Sequence, residues 1–94
     1  MGDSQVGKTS IIRTFMEGRS QVDNLRTNTM SDFCKIIEVN EGGKKHKIKL
    51  NIWDAAGDAN VKNLAHLYVR EVQIGVLVYS ITSLISFKSL DEWI

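Results

Sequence analysis

A chain of 94 residues holds one domain at most, with a modest core. Its composition, 43% hydrophobic and 24% charged, is typical of a soluble globular domain. A net charge of +1 gives no electrostatic basis for nucleic-acid binding, and the single cysteine, Cys34, cannot form an internal disulfide. No apolar run is long enough to cross a bilayer. Val6 breaks the pattern of a myristoylation signal, and the last four residues hold no cysteine to prenylate. We therefore expect a cytoplasmic protein without a nucleic-acid partner and without a membrane anchor in this chain.

The first predicted element is a helix over residues 8–17. Apolar side chains recur there at helical spacing, at Ile11, Ile12, Phe15 and Met16. Gly18 is a typical helix stop. Residues 19–32 are polar and without a pattern, which predicts a long loop, and long loops in compact domains are usually functional or mobile.

Two strands of a hairpin are predicted next, over residues 33–40 and 46–54. The turn between them, residues 40–45, is rich in turn-forming residues. In the second strand, apolar side chains alternate with polar ones: Ile48, Leu50 and Ile52 against Lys47, Lys49 and Asn51. This alternation indicates one buried face and one solvated face.

Three further elements complete the pattern. Residues 59–71 predict a helix with one apolar side. Residues 74–79 are apolar on both faces, which is typical of a strand buried in a parallel sheet. A last helix is predicted behind Thr82 and Ser83, two candidate N-caps. The order of helices and strands indicates an α/β fold.

The strongest chemical motif is a phosphate-binding loop. The spacing of Gly2, Gly7, Lys8 and Thr9 fits G-x-x-x-x-G-K-[ST]. Glycines let consecutive main-chain N–H groups point inward at phosphate oxygens, and the following helix presents its positive end to them. We expect Lys8 to reach the β- and γ-phosphates and Thr9 to bind Mg²⁺. The predicted nucleotide-binding residues are Gly2, Asp3, Ser4, Gln5, Val6, Gly7, Lys8, Thr9 and Ser10.

A second motif, Asp-Ala-Ala-Gly, stands at the end of the second predicted strand. Asp54 is the expected acidic partner of the Mg²⁺ ion, and Gly57 could bring a main-chain N–H group against the γ-phosphate. Such a motif alone usually marks a turn. Behind a phosphate loop and at a strand end, it becomes a strong indication of a nucleotide site.

The chain resembles the small GTPases of the Ras superfamily, and the Rab family most closely. The matching segments are residues 2–10, 49–57, 77–83 and 86–94. The resemblance implies a P-loop NTPase fold of the small GTPase type, here a partial one over residues 1–94 without the first strand and the C-terminal third. It also implies GTP and GDP as ligands and Mg²⁺ as cofactor. By the same resemblance, effector and regulatory proteins would bind two switch regions, switch I in the polar loop 19–32 and switch II from Asp54 through the following helix. Phe33, Trp53 and Tyr68 fall where Rab proteins keep an effector-facing aromatic triad, although ordinary core positions are an equal alternative.

Several positions depart from the family pattern. The switch I ligand of Mg²⁺ falls on Thr27 by one count and on Asn28 by another, with Thr29 adjacent, and we prefer Thr27. Asp58 stands where the family has the glutamine that orients the attacking water, so we expect slow GTP hydrolysis. Ser20 stands where an aromatic residue usually shields the guanine.

Two other interpretations compete with a GTP-dependent switch. The first is a non-catalytic remnant or interaction fragment, favoured by Asp58, by Ser20 and by the family segments that the chain lacks. The second is a P-loop ATPase or kinase of another class, which the hairpin and the Asp-Ala-Ala-Gly motif disfavour. Since the missing first strand lies at the centre of the family's sheet, we expect either a piece of a longer protein or a truncated product, with unpaired strand edges.

Overall fold

The computed structural model describes residues 1–18 and 31–94. The described elements are one β-hairpin and several helices, in the order α1 (Lys8–Glu17), β1 (Ser31–Glu41), β2 (Lys44–Asp54), α2 (Ala59–Tyr68), a 3₁₀ turn (Val69–Glu71), α3 (Leu84–Lys88) and α4 (Leu90–Trp93). This content confirms the α/β class and a partial small GTPase fold. None of the helices in these two ranges is long and apolar enough to cross a membrane.

Helix α1 has the bounds that the sequence predicts. It ends at Gly18, whose φ of 68° lies in the left-handed region and whose N–H donates to the Thr14 carbonyl at 2.7 Å. The Lys35 ammonium of β1 donates to the Phe15 carbonyl at 2.6 Å and lies 4.2 Å from the centre of the Phe15 ring. These contacts fix the last turn of α1 to the hairpin.

The hairpin is longer, and its turn tighter, than predicted. Strands β1 and β2 are antiparallel and stay in register from the pair Glu41–Lys44 to the pair Ser31–Asp54. Only Gly42 and Gly43 connect them, and their φ angles of 57° and 78° allow the two-residue turn that matches strand twist. The strands therefore extend to the turn, where sequence pattern alone placed a six-residue connection.

Helix α2 begins after Asp58, whose side chain caps it, and passes into the 3₁₀ turn Val69–Glu71. The predicted helix over residues 59–71 is thus present, with its last three residues in the tighter form. Ala65 of this helix is buried, as are Ala55 and Ala56 in the segment before it. Trp93 of α4 is the other buried apolar residue in the described ranges, and α2 contacts α4.

The predicted strand over residues 74–79 is not formed, and this prediction was wrong. The segment carries no strand assignment, and Ile74 and Val76 are 79% and 64% exposed. Two main-chain hydrogen bonds join the segment to Met1: the Val78 N–H donates to the Met1 carbonyl at 2.8 Å, and the Met1 ammonium donates to the Val76 carbonyl at 2.7 Å. An apolar run becomes a strand only when a neighbouring strand pairs with it, and one residue does not supply a ladder.

The last predicted helix is present as two short helices, α3 and α4, which meet at Ser89. Ser83 is the N-cap of α3, as predicted, and accepts a hydrogen bond from the Ser86 N–H at 3.3 Å. The Ser86 hydroxyl donates back to the Ser83 carbonyl at 2.8 Å. At the junction, the Ser89 hydroxyl donates to the Ser86 carbonyl at 3.4 Å, and a hydroxyl group that bonds to the main chain competes with helix continuation.

Candidate phosphate-binding site

The segment before α1 forms a tight loop that leads directly into the helix. Gln5 has a φ of 63°, and Gly7, the N-cap of α1, has a φ of 99° and a ψ of 15°. Gly7 brings no side-chain oxygen to the first turn, so no side chain at the cap position satisfies the N–H groups there. A glycine-rich loop at an uncapped helix N-terminus is suited to bind an anion.

The lysine of the motif lies inside this loop. Lys8 is 8% exposed, and its ammonium donates to the Asp3 carbonyl at 2.6 Å. Burial lowers the pKa of Lys8, and the carboxylates of Asp54 and Asp3 offset part of this lowering. The loop thus holds a desolvated cation that a phosphate group would stabilise.

The end of β2 meets the first turn of α1 at this point. The Thr9 hydroxyl donates a hydrogen bond to Oδ2 of Asp54, which is 2% exposed. Within the described residues, the other carboxylate oxygen, Oδ1 of Asp54, is buried without a hydrogen-bond partner. A buried, unsatisfied carboxylate oxygen beside a hydroxyl is a donor set that a hard cation such as Mg²⁺ favours.

A metal at this position would depend on few protein ligands. In residues 1–18 and 31–94, no group of three or more His, Cys, Asp or Glu side chains could hold a metal ion. Thr9 and Asp54 therefore fit a Mg²⁺ ion that takes its remaining ligands from water and from phosphate oxygens, as is usual for this ion.

Gly57 lies directly against the phosphate loop. A Cβ atom at this position would fall 2.2 Å from the Ser4 nitrogen and 2.4 Å from the Asp3 carbonyl carbon. Both are main-chain atoms, so no side chain can be accommodated. The structure thus brings together Lys8, Thr9 and the loop with Asp54 and Gly57, as the two sequence motifs predict.

The Asp58 side chain makes a structural contact that its position after the Asp-Ala-Ala-Gly motif did not predict. Its carboxylate accepts a hydrogen bond from the Val61 N–H at 2.9 Å and so caps α2. Sequence reasoning missed this role, although an aspartate just before a helix is a standard N-cap signal. The carboxylate is oriented by its own helix.

The side chain of Asp3 makes contacts that the sequence did not predict. Its carboxylate accepts hydrogen bonds from Ser89 at 2.5 Å and from the Trp93 indole at 3.0 Å. Burial opposes ionisation, but these two bonds and the charges of Lys62 and Lys8 lower the pKa of Asp3. No sequence signal connects position 3 with the last helix.

Other predicted positions are not brought to the site by the described structure. Ser20 and the switch I candidates Thr27, Asn28 and Thr29 lie outside the described residues. The side chain of Tyr68 is also outside them. Because side chains alternate along a strand, Phe33 and Trp53, whose register partners are Ile52 and Asp32, lie on opposite faces of the hairpin.

Comparison with known proteins decides the family. The family model described as Ras of Complex (Roc), a domain of DAPkinase, matches residues 1–94. The chain belongs to the small GTPases of the Ras superfamily. The resemblance inferred from the loop and the Asp-Ala-Ala-Gly motif is thereby confirmed.

Curated relatives of this small GTPase chain include several Rab proteins. It is 36% identical over 95 residues to the GTP-binding protein ypt4 of Schizosaccharomyces pombe, covering 99% of the chain and 40% of ypt4. It is 39% identical to the Ras-related protein Rab-1C of Dictyostelium discoideum, covering all of the chain and 45% of the relative. With Rab7 of Drosophila melanogaster the identity is 35%, and 43% of Rab7 is covered. The chain thus spans less than half the length of these relatives.

Proposed function

We propose that this small GTPase chain binds GTP and GDP together with Mg²⁺ and acts as a Rab-type molecular switch. The observation that carries the proposal is the junction of Thr9 with Asp54, where a buried carboxylate oxygen beside the phosphate loop has no hydrogen-bond partner among residues 1–18 and 31–94. Family membership supports guanine nucleotides as the ligands.

In this proposal the loop residues 2–10 bind the phosphates through main-chain N–H groups, and Lys8 contributes its ammonium. Thr9 and Asp54 hold Mg²⁺, with Thr27 as a third ligand from switch I. When bound, Mg²⁺ neutralises charge on the β- and γ-phosphate oxygens. Gly57, already against the loop, is placed to offer its main-chain N–H group to the γ-phosphate.

Hydrolysis by this chain is proposed to be slow. Asp58 stands at the position of the water-orienting glutamine, carries no amide donor and bears the same sign of charge as the triphosphate. Its carboxylate is engaged with the Val61 N–H group. Since positioning is most of the catalysis in phosphoryl transfer, we expect a rate about 10-fold or more below that of a glutamine-bearing relative.

The same contact favours one alternative function. A chain whose position-58 side chain serves as a helix cap could bind nucleotide without hydrolysing it, or could act only as an interaction fragment.

Under the main proposal, effector and regulatory proteins bind through the switch regions, in membrane traffic or signalling, and the protein is cytoplasmic.

A binding experiment separates these functions. Labelled GTP, GDP and ATP are titrated in equilibrium dialysis, each with Mg²⁺ and with EDTA. Tight, Mg²⁺-dependent binding of GTP and GDP over ATP supports the switch, preference for ATP indicates another class of P-loop protein, and no binding supports the interaction fragment. Lys8→Ala should abolish binding, whereas Lys88→Ala, which removes an exposed lysine of α3, should leave it unchanged.

A further inference from the structure

The main chain and the side chain of Asp3 bond to different parts of the protein. Its carbonyl oxygen accepts the Lys8 ammonium at 2.6 Å, inside the phosphate loop. Its carboxylate points toward the end of the chain, where it accepts the Ser89 hydroxyl at 2.5 Å and the Trp93 indole at 3.0 Å. Displacement of the Asp3 main chain therefore changes contacts at both places.

Trp93 is the best-buried partner of this carboxylate. The residue is 3% exposed, and its indole N–H donates to Oδ1 of Asp3. An N–H group buried to this degree loses its water partners, so loss of the carboxylate would leave it unsatisfied. The bond therefore fixes α4 relative to the loop.

Helix α2 joins the same cluster through Lys62. Its ammonium lies 3.9 Å from Oδ1 of Asp3 and 2.5 Å from Oε2 of Glu92. It also lies 5.5 Å from the centre of the Trp93 ring. The side chain of Lys62 is 18% exposed, so the loop, α2 and α4 meet around one partly buried cation and the carboxylates of Asp3 and Glu92.

We propose that Asp3 is a positioning residue that couples the phosphate loop to helices α2 and α4 through Lys62 and Trp93, an inference that rests on the proposed nucleotide binding. A phosphate group competes with the Asp3 carbonyl for the Lys8 ammonium. Release of that bond lets the Asp3 main chain shift, and the shift reaches Trp93 through the carboxylate. Occupancy of the loop is thereby transmitted to the surface formed by α2 and α4.

The two tryptophans of the chain provide the test. In a Trp53→Phe parent, Trp93 is the remaining source of indole emission. Saturating GDP with Mg²⁺ should change that emission, and Asp3→Ala should reduce the change at least twofold. Asp3→Ala should also release labelled GDP about 10-fold faster, since charge-assisted hydrogen bonds contribute about 1.5–3 kcal/mol. Asp91→Ala, which removes an exposed acid of α4, is the matched control.

Equal emission changes and equal release rates in the Asp3 and Asp91 variants would overturn the proposal. If dialysis shows that the parent binds no nucleotide, the proposed function fails and the coupling is judged without ligand. In that case, amide hydrogen exchange in residues 2–9 should be about 10-fold faster in Asp3→Ala than in Asp91→Ala, and equal exchange would overturn the coupling. Trp93→Phe, which keeps an aromatic ring but removes the indole N–H, repeats the exchange test with the loop sequence intact and is judged in the same way.

Discussion

The Thr9 hydroxyl donates a hydrogen bond to the carboxylate of Asp54, and this contact joins the first turn of α1 to the last residue of β2. The two residues are far apart in the sequence, and each belongs to a different motif. Their contact places two carboxylate oxygens of Asp54 beside the phosphate loop, one bonded to Thr9 and one without a partner in the part of the chain that the structure describes.

Removal of the Thr9 hydroxyl should weaken Mg²⁺-dependent nucleotide binding. Thr9→Ala should lower the affinity for GDP with Mg²⁺ by about 10- to 100-fold, because a hydrogen bond or ligand contact to a charged group contributes about 1.5–3 kcal/mol. Thr9→Ser keeps the hydroxyl and should bind nearly as the parent does. Affinities measured with Mg²⁺ and with EDTA check this, and equal Mg²⁺ dependence in the Ala and Ser variants would contradict it.

Removal of the Lys8 ammonium should abolish nucleotide binding without lowering the free energy of unfolding. Because burial lowers the pKa of Lys8, the charged ammonium destabilises the ligand-free fold. Lys8→Met should therefore leave the free energy of unfolding at pH 7 unchanged or raise it, while nucleotide binding is lost. Urea unfolding and dialysis provide the two measurements, and a marked loss of stability would show that the pKa argument is wrong.

The Asp58 position should control the rate of hydrolysis. Asp58→Gln should hydrolyse GTP about 10-fold or more faster than the parent in single-turnover assays, because an amide can orient water and carries no repelling charge. Asp58→Asn is the matched control, since Asn removes the charge and remains a good N-cap. Equal rates for the Gln variant and the parent would contradict the inference that the residue at position 58 limits GTP hydrolysis.

Gly57 should tolerate no side chain. Gly57→Ala would place a Cβ atom 2.2 Å from the Ser4 nitrogen, and the resulting overpacking should cost about 1–3 kcal/mol in unfolding free energy and weaken nucleotide binding. Gly42→Ala, where a Cβ meets nothing within 4 Å but φ is 57°, should cost about 1–2 kcal/mol and leave binding unchanged. Nucleotide binding should therefore be weaker in the Gly57 variant only, which distinguishes the close approach of Gly57 to the phosphate loop from strain in the hairpin turn.

Asp3 should contribute to the loss of stability in acid. Burial works against its ionisation, but the bonds from Ser89 and Trp93 and the charge of Lys62 hold its pKa below the ordinary 3.8. Its contribution is therefore present above the unfolded pKa and is lost as pH falls through the lower folded pKa. Urea unfolding between about pH 6 and pH 2, the range in which carboxyl groups titrate, should show a free energy of unfolding that depends less on pH for Asp3→Asn than for the parent.

Local signals in the sequence predicted the elements around the site well. Helix α1 and its stop at Gly18 follow from apolar spacing and a glycine, and both are determined within a few residues. The convergence of Lys8 and Asp54 followed from two motifs whose chemistry requires them to meet. Helix α1 is predictable because it depends on residues adjacent in the sequence, and the meeting of Lys8 with Asp54 is predictable because one ligand requires both.

The remaining features depend on tertiary contacts. Residues 74–79 have the composition of a buried strand, but a ladder needs a partner, which composition cannot supply. The contact of Asp3 with Trp93 joins opposite ends of the chain and has no periodicity. The role of Asp58 was inferred from its position in a family pattern, whereas the N-cap rule would have identified its capping of α2.

A chain connection joins the two strands of the hairpin at the turn end only. Gly42 and Gly43 hold the turn, and the register runs from there to the pair Ser31–Asp54 at the opposite end. A two-stranded ladder frays first at the end farthest from its turn. That end carries the carboxylate beside the phosphate loop, so a cation held between Thr9 and Asp54 would suppress fraying there, and its binding would raise the protection of the β2 amides near Asp54 more than that of the amides near the turn.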